Sequence, residues 1–366
     1  MLESVEWGEF KLGDLFEAQT SKKRFDANKV NVLKNGVYPY VVRMGSNNGQ
    51  KGFIDENSSF LNDGNTISFG QDTATMFYQE KPYFTGDKVK ILKPKESRFG
   101  KENAQFFIST MAKAFSSFSW GSSSFNVSII KSQSLTLPIK NGQIDYDFME
   151  RFIAELEAER IAELEAYLTA TGLKDYHLTP EEQKALDDLG AGKVVWGEFK
   201  FKEIFDQIRQ GRRLKKDDQL PGEIPFVMSG VTDTGVVNYI SNPVASFPKN
   251  SITVDIFGNA FYRNYDYGAG DDTGAYWSDS KEYTKEAMLF FTASINKALM
   301  NKFDYGNKLR SSQSLHLKMS LPSKNNQPDL SSIEPLISAV QKLVIKDVVE
   351  YADQKIAAHQ QVVKAS

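Results

Sequence analysis

The sequence predicts an α+β protein. Two strand-rich globular blocks are separated by two long antiparallel helices forming a coiled-coil spacer, and the whole is a pseudo-two-fold internal repeat. Three observations carry this reading. The phrase "WGEFKLGDLFE", from Trp7, returns as "WGEFKFKEIFD" from Trp196. Further matches follow each copy in the same order. Each series then ends in a long segment with helical spacing of apolar residues. The 366 residues suffice for two ordinary domains, and 40% apolar with 25% charged residues is a core-forming composition.

After the opening phrase comes a short apolar strand around a proline, "YPYVV" from Tyr38 and "IPFVM" from Ile224. Alternating runs follow, "NTISFG" from Asn65 and "NSITVDIFG" from Asn250, then "MFY" from Met76 and "AFY" from Ala260. "AQFFISTMAKAF" from Ala104 answers "AMLFFTASINKAL" from Ala287, both with helical spacing. "FSWG" from Phe118 answers "FDYG" from Phe303, and "SQSLTL" from Ser132 answers "SQSLHL" from Ser312. Each block closes in Leu-Pro, "LPIKNGQID" and "LPSKNNQPD". The offset stays between 180 and 189 residues, an order that chance similarity would not keep. Short β-branched and aromatic runs, with Asn35-Gly36, Asn48-Gly49 and Asp63-Gly64 as turn dipeptides, make each block strand-rich.

The texture changes at Ile144, where "IDYDFMERFIAELEAERIAELEAYL" is built of strong helix formers. Phe148, Phe152 and Leu156 form a stripe continued by Ile161, Leu164 and Leu168. A helix of roughly 22–24 residues spans about 33–36 Å. Thr179-Pro180-Glu181-Glu182 has capping-box spacing with proline at the first helical position. The second copy ends in a similar helix, with Leu336, Val340, Leu343, Val344 and Val348 as its stripe. Two such stripes can bury each other; each helix can instead pack on its own block. The expected boundaries are 1–143 and 193–328 for the blocks, 144–192 for the central spacer region and 329–366 for the C-terminal spacer helix.

Net charge is −3, but it is unevenly spread. Residues 1–140 carry +4, 141–192 carry −9, 193–324 carry +3 and 325–366 carry −1. Local basic density decides phosphate binding, so the blocks are the candidate nucleic-acid surfaces. The acidic linker reads as protein-facing or DNA-avoiding. With no cysteine, disulfides and thiolate metal sites are excluded. There is no secretory-type opening, and no apolar run approaches the roughly 20 residues of a membrane helix. A cytoplasmic protein without a membrane partner is expected.

Catalytic patterns are missing. "NPVA" at Asn242 lacks the second proline and the aromatic of a nucleic-acid methyltransferase tetrapeptide, and no Gly-rich nucleotide loop is present. His177, His316 and His359 are far apart. Pro328-Asp329 precedes Asp353-Gln354-Lys355, but the latter lies in a predicted helix rather than a nuclease strand.

Candidate DNA contacts fall at similar offsets in the two copies. Lys22, Lys23 and Arg24 follow the first opening phrase; Arg209, Arg212, Arg213, Lys215 and Lys216 follow the second. Lys and Arg neutralise phosphates, and Arg, Asn and Ser also reach base edges. On that ground Arg43, Ser46, Asn47 and Asn48 stand opposite Ser229 and Thr232, and Arg263 stands with Asn264. The polar–aromatic segments before each "SQSL" add Ser122 and Asn126 in one copy, Lys308 and Arg310 in the other. These segments share an aromatic-Gly pair and differ in polar residues. They are either specificity loops on a common scaffold, or structural loops with Trp120 and Tyr305 in the core.

Two repeats opening with W-x-x-x-x-[LF]-x-x-[LI]-F and closing in Leu-Pro before a long helix resemble the DNA specificity (S) subunits of Type I restriction–modification systems. "LPIKNGQIDYDFMERFIAELE" resembles especially the BcgI-like, Type IIB branch. The resemblance covers essentially the whole chain. It implies two target recognition domains, each reading half of a bipartite, gapped site in double-stranded DNA. It also implies helices that set the gap and dock DNA adenine methyltransferase subunits, with Phe152, Leu156, Leu164, Leu343 and Val344 as docking candidates. S-adenosylmethionine and Mg²⁺ then belong to partner subunits, with no cofactor or metal in this chain. Cleavage belongs to a restriction subunit or fused nuclease. Trp7 and Trp196 match the scaffold motif and are structural. One DNA turn, about 34–36 Å, fits the helix length. Two other readings stay open: a tandem carbohydrate- or peptide-binding module, and a self-contained nuclease or methyltransferase.

Overall fold

The duplicated opening phrase and the duplicated Leu-Pro are two edges of one small sheet. In the computed structural model, which describes residues 2–116, 125–242, 244 and 246–365, with backbone alone beyond 358, strand Glu6–Lys11 pairs antiparallel with Ser134–Lys140. Trp7 stands opposite Pro138 and Phe10 opposite Leu135. The chain then turns through Asn141-Gly142, both at positive φ (53° and 76°), and Gln143–Ile144 pairs on the other side. The second copy repeats this clasp. Trp196–Lys200 pairs with Lys318–Lys324, Trp196 facing Pro322, and Asn325-Asn326 (φ 53° and 58°) turns into Gln327–Pro328. The repeated Trp-Gly has a steric reason: a Cβ on Gly8 would lie 2.8 Å from Ile139 Cγ2, and one on Gly197 2.9 Å from Ser323 Cβ.

The tryptophans do not enter the core. Trp7 is 40% exposed and stacks on Phe106 at 6.4 Å; Trp196 is 48% exposed and stacks on Phe290 at 6.3 Å. The residues that follow them do the anchoring: Leu12, Leu15 and Phe16 in one copy, Phe201, Ile204 and Phe205 in the other, all buried.

The described residues fall into two compact units, one reaching Leu164 and joined by residues from Ala358, the other Glu165–Ala357. The strand order is the same in both blocks. In the first, Phe16–Thr20, Val89–Pro94, Thr66–Gly70 and Met76–Gln79 form an antiparallel sheet in that order. In the second, the order is Gln207–Gln210, Thr273–Trp277, Ser251–Asp255 and Ala260–Arg263. A further sheet orders Gln50–Phe53, Pro39–Val41 and Phe84–Thr85, the last pair parallel. Its counterpart orders Val236–Ile240, Pro221–Val227 and Tyr267–Ala269, again ending in a parallel pair, and adds Ser246–Phe247 at the edge.

Helices Lys101–Phe115 and Lys285–Leu299 pack Phe107 and Met111, or Phe291 and Ile295, into the core beside Phe69 and Ile252. The central strands Thr66–Gly70 and Ser251–Asp255 are buried at every position, so the alternation read from "NTISFG" does not mark a solvent face. Their hydroxyls are satisfied inside: Thr66 with Tyr83 Oη (3.1 Å), Ser251 with Tyr267 Oη (2.9 Å).

The central helix is Tyr146–Ala170, close to the predicted length. Its start belongs to the first core, where Phe148 and Met149 are buried and Phe152 lies 5.7 Å from Phe106. Gly172 (φ 70°) ends it, with Leu173 N donating to Leu168 O. The Thr179 capping box before Pro180–Gly190 is formed, and Glu182 does more than cap. It accepts from Thr179 N (2.7 Å), Lys342 Nζ (2.9 Å) and Ser338 Oγ, joining this segment to the C-terminal helix Leu330–Ala365. Lys342 also donates to His177 O (2.8 Å), and Lys174 lies 3.8 Å from Asp353.

Of the stripe read on the C-terminal helix only Leu336 is buried, and the other four members are out of phase with burial. Ile333, Leu336, Ala339, Val349 and Ala352 are buried, while Val340, Leu343, Val344 and Val348 are exposed. Small alanines and the polar Glu182–Lys342 contact occupy the covered face, which hydropathy periodicity alone does not weight. Among the described residues no helix is long and apolar enough to cross a membrane.

Candidate nucleic-acid interface

In the second block, the residues singled out in the sequence converge on the loop between Tyr267–Ala269 and Thr273–Trp277. Gly211 N donates to Thr273 O and Arg212 N to Ala269 O, both at 2.9 Å. Arg310 Nη1 donates to Asp271 O (3.0 Å), as does Gln210 Nε2 (3.0 Å). Gly270 N donates to Val227 O, which draws in the 228–235 loop. Leu309 N donates to Ile256 O, bringing the 304–310 segment to the same group. Here Tyr305 is 84% exposed against Phe257 (5.1 Å), with Lys308 Nζ 5.6 Å from its ring. Tyr305 is therefore no core residue.

Arg212, Arg213, Lys215 and Lys216 are exposed and have no ion pair among the described residues. Arg209 lies over Trp277 at 5.4 Å and donates to Gln207 (2.9 Å). Asn264 is exposed. Arg263 is not available to DNA. It is 1% exposed, bonded to Thr253 Oγ1, Thr234 and Tyr265 Oη, because its long side chain runs beneath the 232–235 turn.

The first block brings the matching loops together but pairs its cations. Arg24 lies 3.4 Å from Asp87, Lys22 3.7 Å from Asp63, and Arg43 2.6 Å from Asp72, which Lys88 also contacts at 2.8 Å. The hydrogen bond from Lys88, then the Arg43 contact, outweighs desolvation and holds the Asp72 carboxyl below its usual range. Lys23 sits over Phe25 and Phe60. Asn47 donates its amide to Gln50 O (2.8 Å). Asn126 caps Val127–Ser132 through Ile129 N (2.9 Å), and Phe125 N donates to Gln71 O (3.1 Å). Ser122 and Trp120 lie outside the described residues. Among the described residues no cluster of His, Asp and Glu has the arrangement of a metal site.

Two copies of one loop-bearing fold have a counterpart among known proteins. The model of the Type I restriction modification DNA specificity domain matches residues 4–166 and again 193–351. The chain belongs to this family. The two matches fall on the two copies of the repeat, so the duplication seen in the opening phrase is a duplication of the specificity domain. The specificity subunit S.BcgI of a Type II restriction enzyme from Heyndrickxia coagulans is 29% identical over 349 residues, covering 93% of this chain and 96% of that one. The crystal structure of a Type I restriction–modification S subunit from M. genitalium shares the fold, with a TM-score of 0.59 at 14% identity over 99% of this chain and 95% of that one. The chain is thus a DNA specificity subunit of a restriction–modification system, and the resemblance read from its motifs holds.

Sequence reading flagged Asn47, Asn48 and Thr232 singly and missed what unites them. Each lies in a left-handed turn braced by a buried side chain from a neighbouring strand. The Asn48-Gly49 dipeptide was the available signal in one copy; "TDTG" in the other gives none.

Proposed function

We propose that each block reads one half of a bipartite, gapped DNA site. The two long helices form the antiparallel coiled-coil spacer that sets the gap, and they dock DNA adenine methyltransferase subunits. S-adenosylmethionine and Mg²⁺ enter with those partners, and cleavage belongs to a restriction subunit or a nuclease fused to a partner. The observation that carries this reading is duplication with divergence: one strand order and one clasp, used twice, beneath loops whose charged residues differ. A symmetric scaffold meets the two halves of a divided site equivalently, and unlike loops let the halves differ in sequence.

The spacer role is supported by length. Tyr146–Ala170 has 25 residues, about 37 Å at 1.5 Å per residue, near one DNA turn. Docking is supported by the apolar row Val340, Leu343, Val344 and Val348, which the chain leaves exposed. Leu156 is also exposed, Leu164 half-buried, and Phe152 is largely committed to its own block. The S.BcgI relative favours a Type IIB-like system.

The test is methylome sequencing of a host expressing this chain with the methyltransferase encoded beside it. The expected result is one bipartite motif with a fixed stretch of unspecified bases. A continuous motif, or methylation independent of this chain, refutes the reading. Binding should also weaken steeply with salt.

A further inference from the structure

The two blocks share a device that family membership does not explain. Asn47, Asn48 and Gly49 stand at φ of 49°, 53° and 71°; Asp233, Thr234 and Gly235 stand at 47°, 51° and 86°. Three successive left-handed residues are uncommon, and for a β-branched residue such as Thr234 the conformation is an outlier.

Each turn is gripped from beneath by the last residue of the equivalent strand. Gln79, buried at the end of Met76–Gln79, donates Nε2 to Asn48 O (3.1 Å) and to Ser68 Oγ (3.1 Å). Arg263, ending Ala260–Arg263, donates Nη2 to Thr234 O and to Thr253 Oγ1 (2.9 Å), and Nη1 to Thr234 Oγ1 (3.0 Å). Ser68 and Thr253 hold the same place, facing Phe77 and Phe261 across equivalent strand pairs. In both copies a buried donor holds the carbonyl of the middle left-handed residue.

The guanidinium of Arg263 has no carboxylate partner among the described residues, and burying a charge unpaired is expensive. Folding alone does not call for it, since the neutral Gln79 makes the same grip in the first block. A second grip acts on the same loop: Asp255 accepts from Ser229 Oγ (3.3 Å) and Gly230 N (3.2 Å). Above these grips the tips are exposed. The side chains of Thr232 and Asp233 hold no hydrogen bond or ion pair among the described residues.

We propose that these two turns are the base-reading tips of their blocks, and that Gln79 and Arg263 are the positioning residues that fix them. This rests on the DNA-reading function above. Backbone strain persists only where the surroundings over-determine it, and here they do so twice. The same backbone presents Asn47-Asn48 in one copy and Asp233-Thr234 in the other. Asparagine suits adenine edges, aspartate accepts from the cytosine amino group, and threonine serves several bases. A tip held in place before binding loses less freedom on binding.

The test uses Asn48→Gly and Thr234→Gly in the complex with its methyltransferase. Glycine accepts the left-handed conformation without strain and keeps the gripped carbonyl; Thr234→Gly also gives up the bond from Arg263 Nη1 to Thr234 Oγ1 (3.0 Å), and Asn48→Gly the bond from Asn48 Nδ2 to Tyr78 O (3.2 Å). Thr234→Gly should relax base preference at the second half-site by about tenfold and leave the first half and the salt dependence alone. Asn48→Gly should do the reverse. Arg263→Met should relax the second half only; if it does not fold, the glycine variants decide. Glycine variants that melt higher and keep full preference at both halves overturn the proposal. Loss of half-site preference in the unmutated complex would instead be a failure of DNA reading itself.

Discussion

Replacing Arg212 and Arg213 together by alanine removes two exposed guanidinium groups that hold no carboxylate among the described residues. Their first-block counterparts differ. Lys22 and Arg24 lie 3.7 Å and 3.4 Å from Asp63 and Asp87, so a phosphate meeting them also meets a carboxylate. Each phosphate neutralised on duplex DNA contributes about −0.9 to the slope of log affinity against log salt. Two lost contacts make the slope shallower by about 1.8. Between 50 and 200 mM salt the variant should therefore lose about 12-fold less affinity than the parent. The matching Lys22→Ala, Arg24→Ala pair should change the slope by less than about 1. Fluorescence anisotropy of labelled duplexes with the intact complex, titrated at several salt concentrations, reads both slopes. An unchanged slope for Arg212→Ala, Arg213→Ala, or equal changes for the two pairs, refutes the distinction between free and paired cations. Equal damage at both half-sites refutes the placement of Arg212 and Arg213 on the second one.

Deleting residues 157–163 together with a matching seven residues of the C-terminal helix shortens the rod by about 10 Å. A methylation map should then show the gap shorter by about three base pairs, with both halves unchanged; an unchanged gap contradicts the spacer role. Desolvation pushes the Glu182 carboxyl up, but bonds from Ser338, Thr179 N and Lys342 outweigh it and hold the group below its usual range. Its contribution is therefore complete above the ordinary carboxylate value and lost as pH falls through the depressed one. Glu182→Gln should cost about 1–3 kcal/mol at neutral pH in urea unfolding, with the difference shrinking on acidification. A Cβ on Gly211 would stand 2.2 Å from Gly270 O and 2.4 Å from Ala269 O, so Gly211→Ala should cost about 1–3 kcal/mol and weaken second-half binding. Gly45→Ala, with open space around it, is the control for both melting temperature and affinity.

The duplication was legible because residues that hold the clasp cannot vary freely. Gly8 and Gly197 face side chains that leave no room for a Cβ, and the Leu-Pro strands carry buried Leu137 and Leu321. Helix ends were legible for a similar reason, since the Thr179 box satisfies backbone donors locally. What failed were inferences about direction. Arg263 reads as a loop cation because its strand ends there, yet sequence does not say that its side chain turns inward. Trp7 matches the scaffold motif, yet sequence does not say that it lies flat on Phe106 and stays 40% exposed. The helix stripe failed because alanines 339 and 352 have little weight in a hydropathy pattern, although their small size suits a close seam.

The clasp and the tips obey opposite rules. Clasp residues are nearly identical between copies; the tips and the groups beneath them are not, and they differ together. Asp255 and Gly70 close equivalent strands, but a Cβ on Gly70 would meet Thr73 Oγ1 and Thr75 Oγ1 at 2.5 Å. The first block thus has no room for the carboxylate that holds Ser229 and Gly230 in the second, and it places Asp72 between Arg43 and Lys88 instead. Gln79 under Asn48 and Arg263 under Thr234 show the same coupling. A turn moved between blocks without its grip would meet a donor of the wrong length, and a grip moved without its turn would lose its acceptor or bury a charge with nothing to hold. The physical unit that can change is therefore the turn together with its strand end, while the clasp stays fixed.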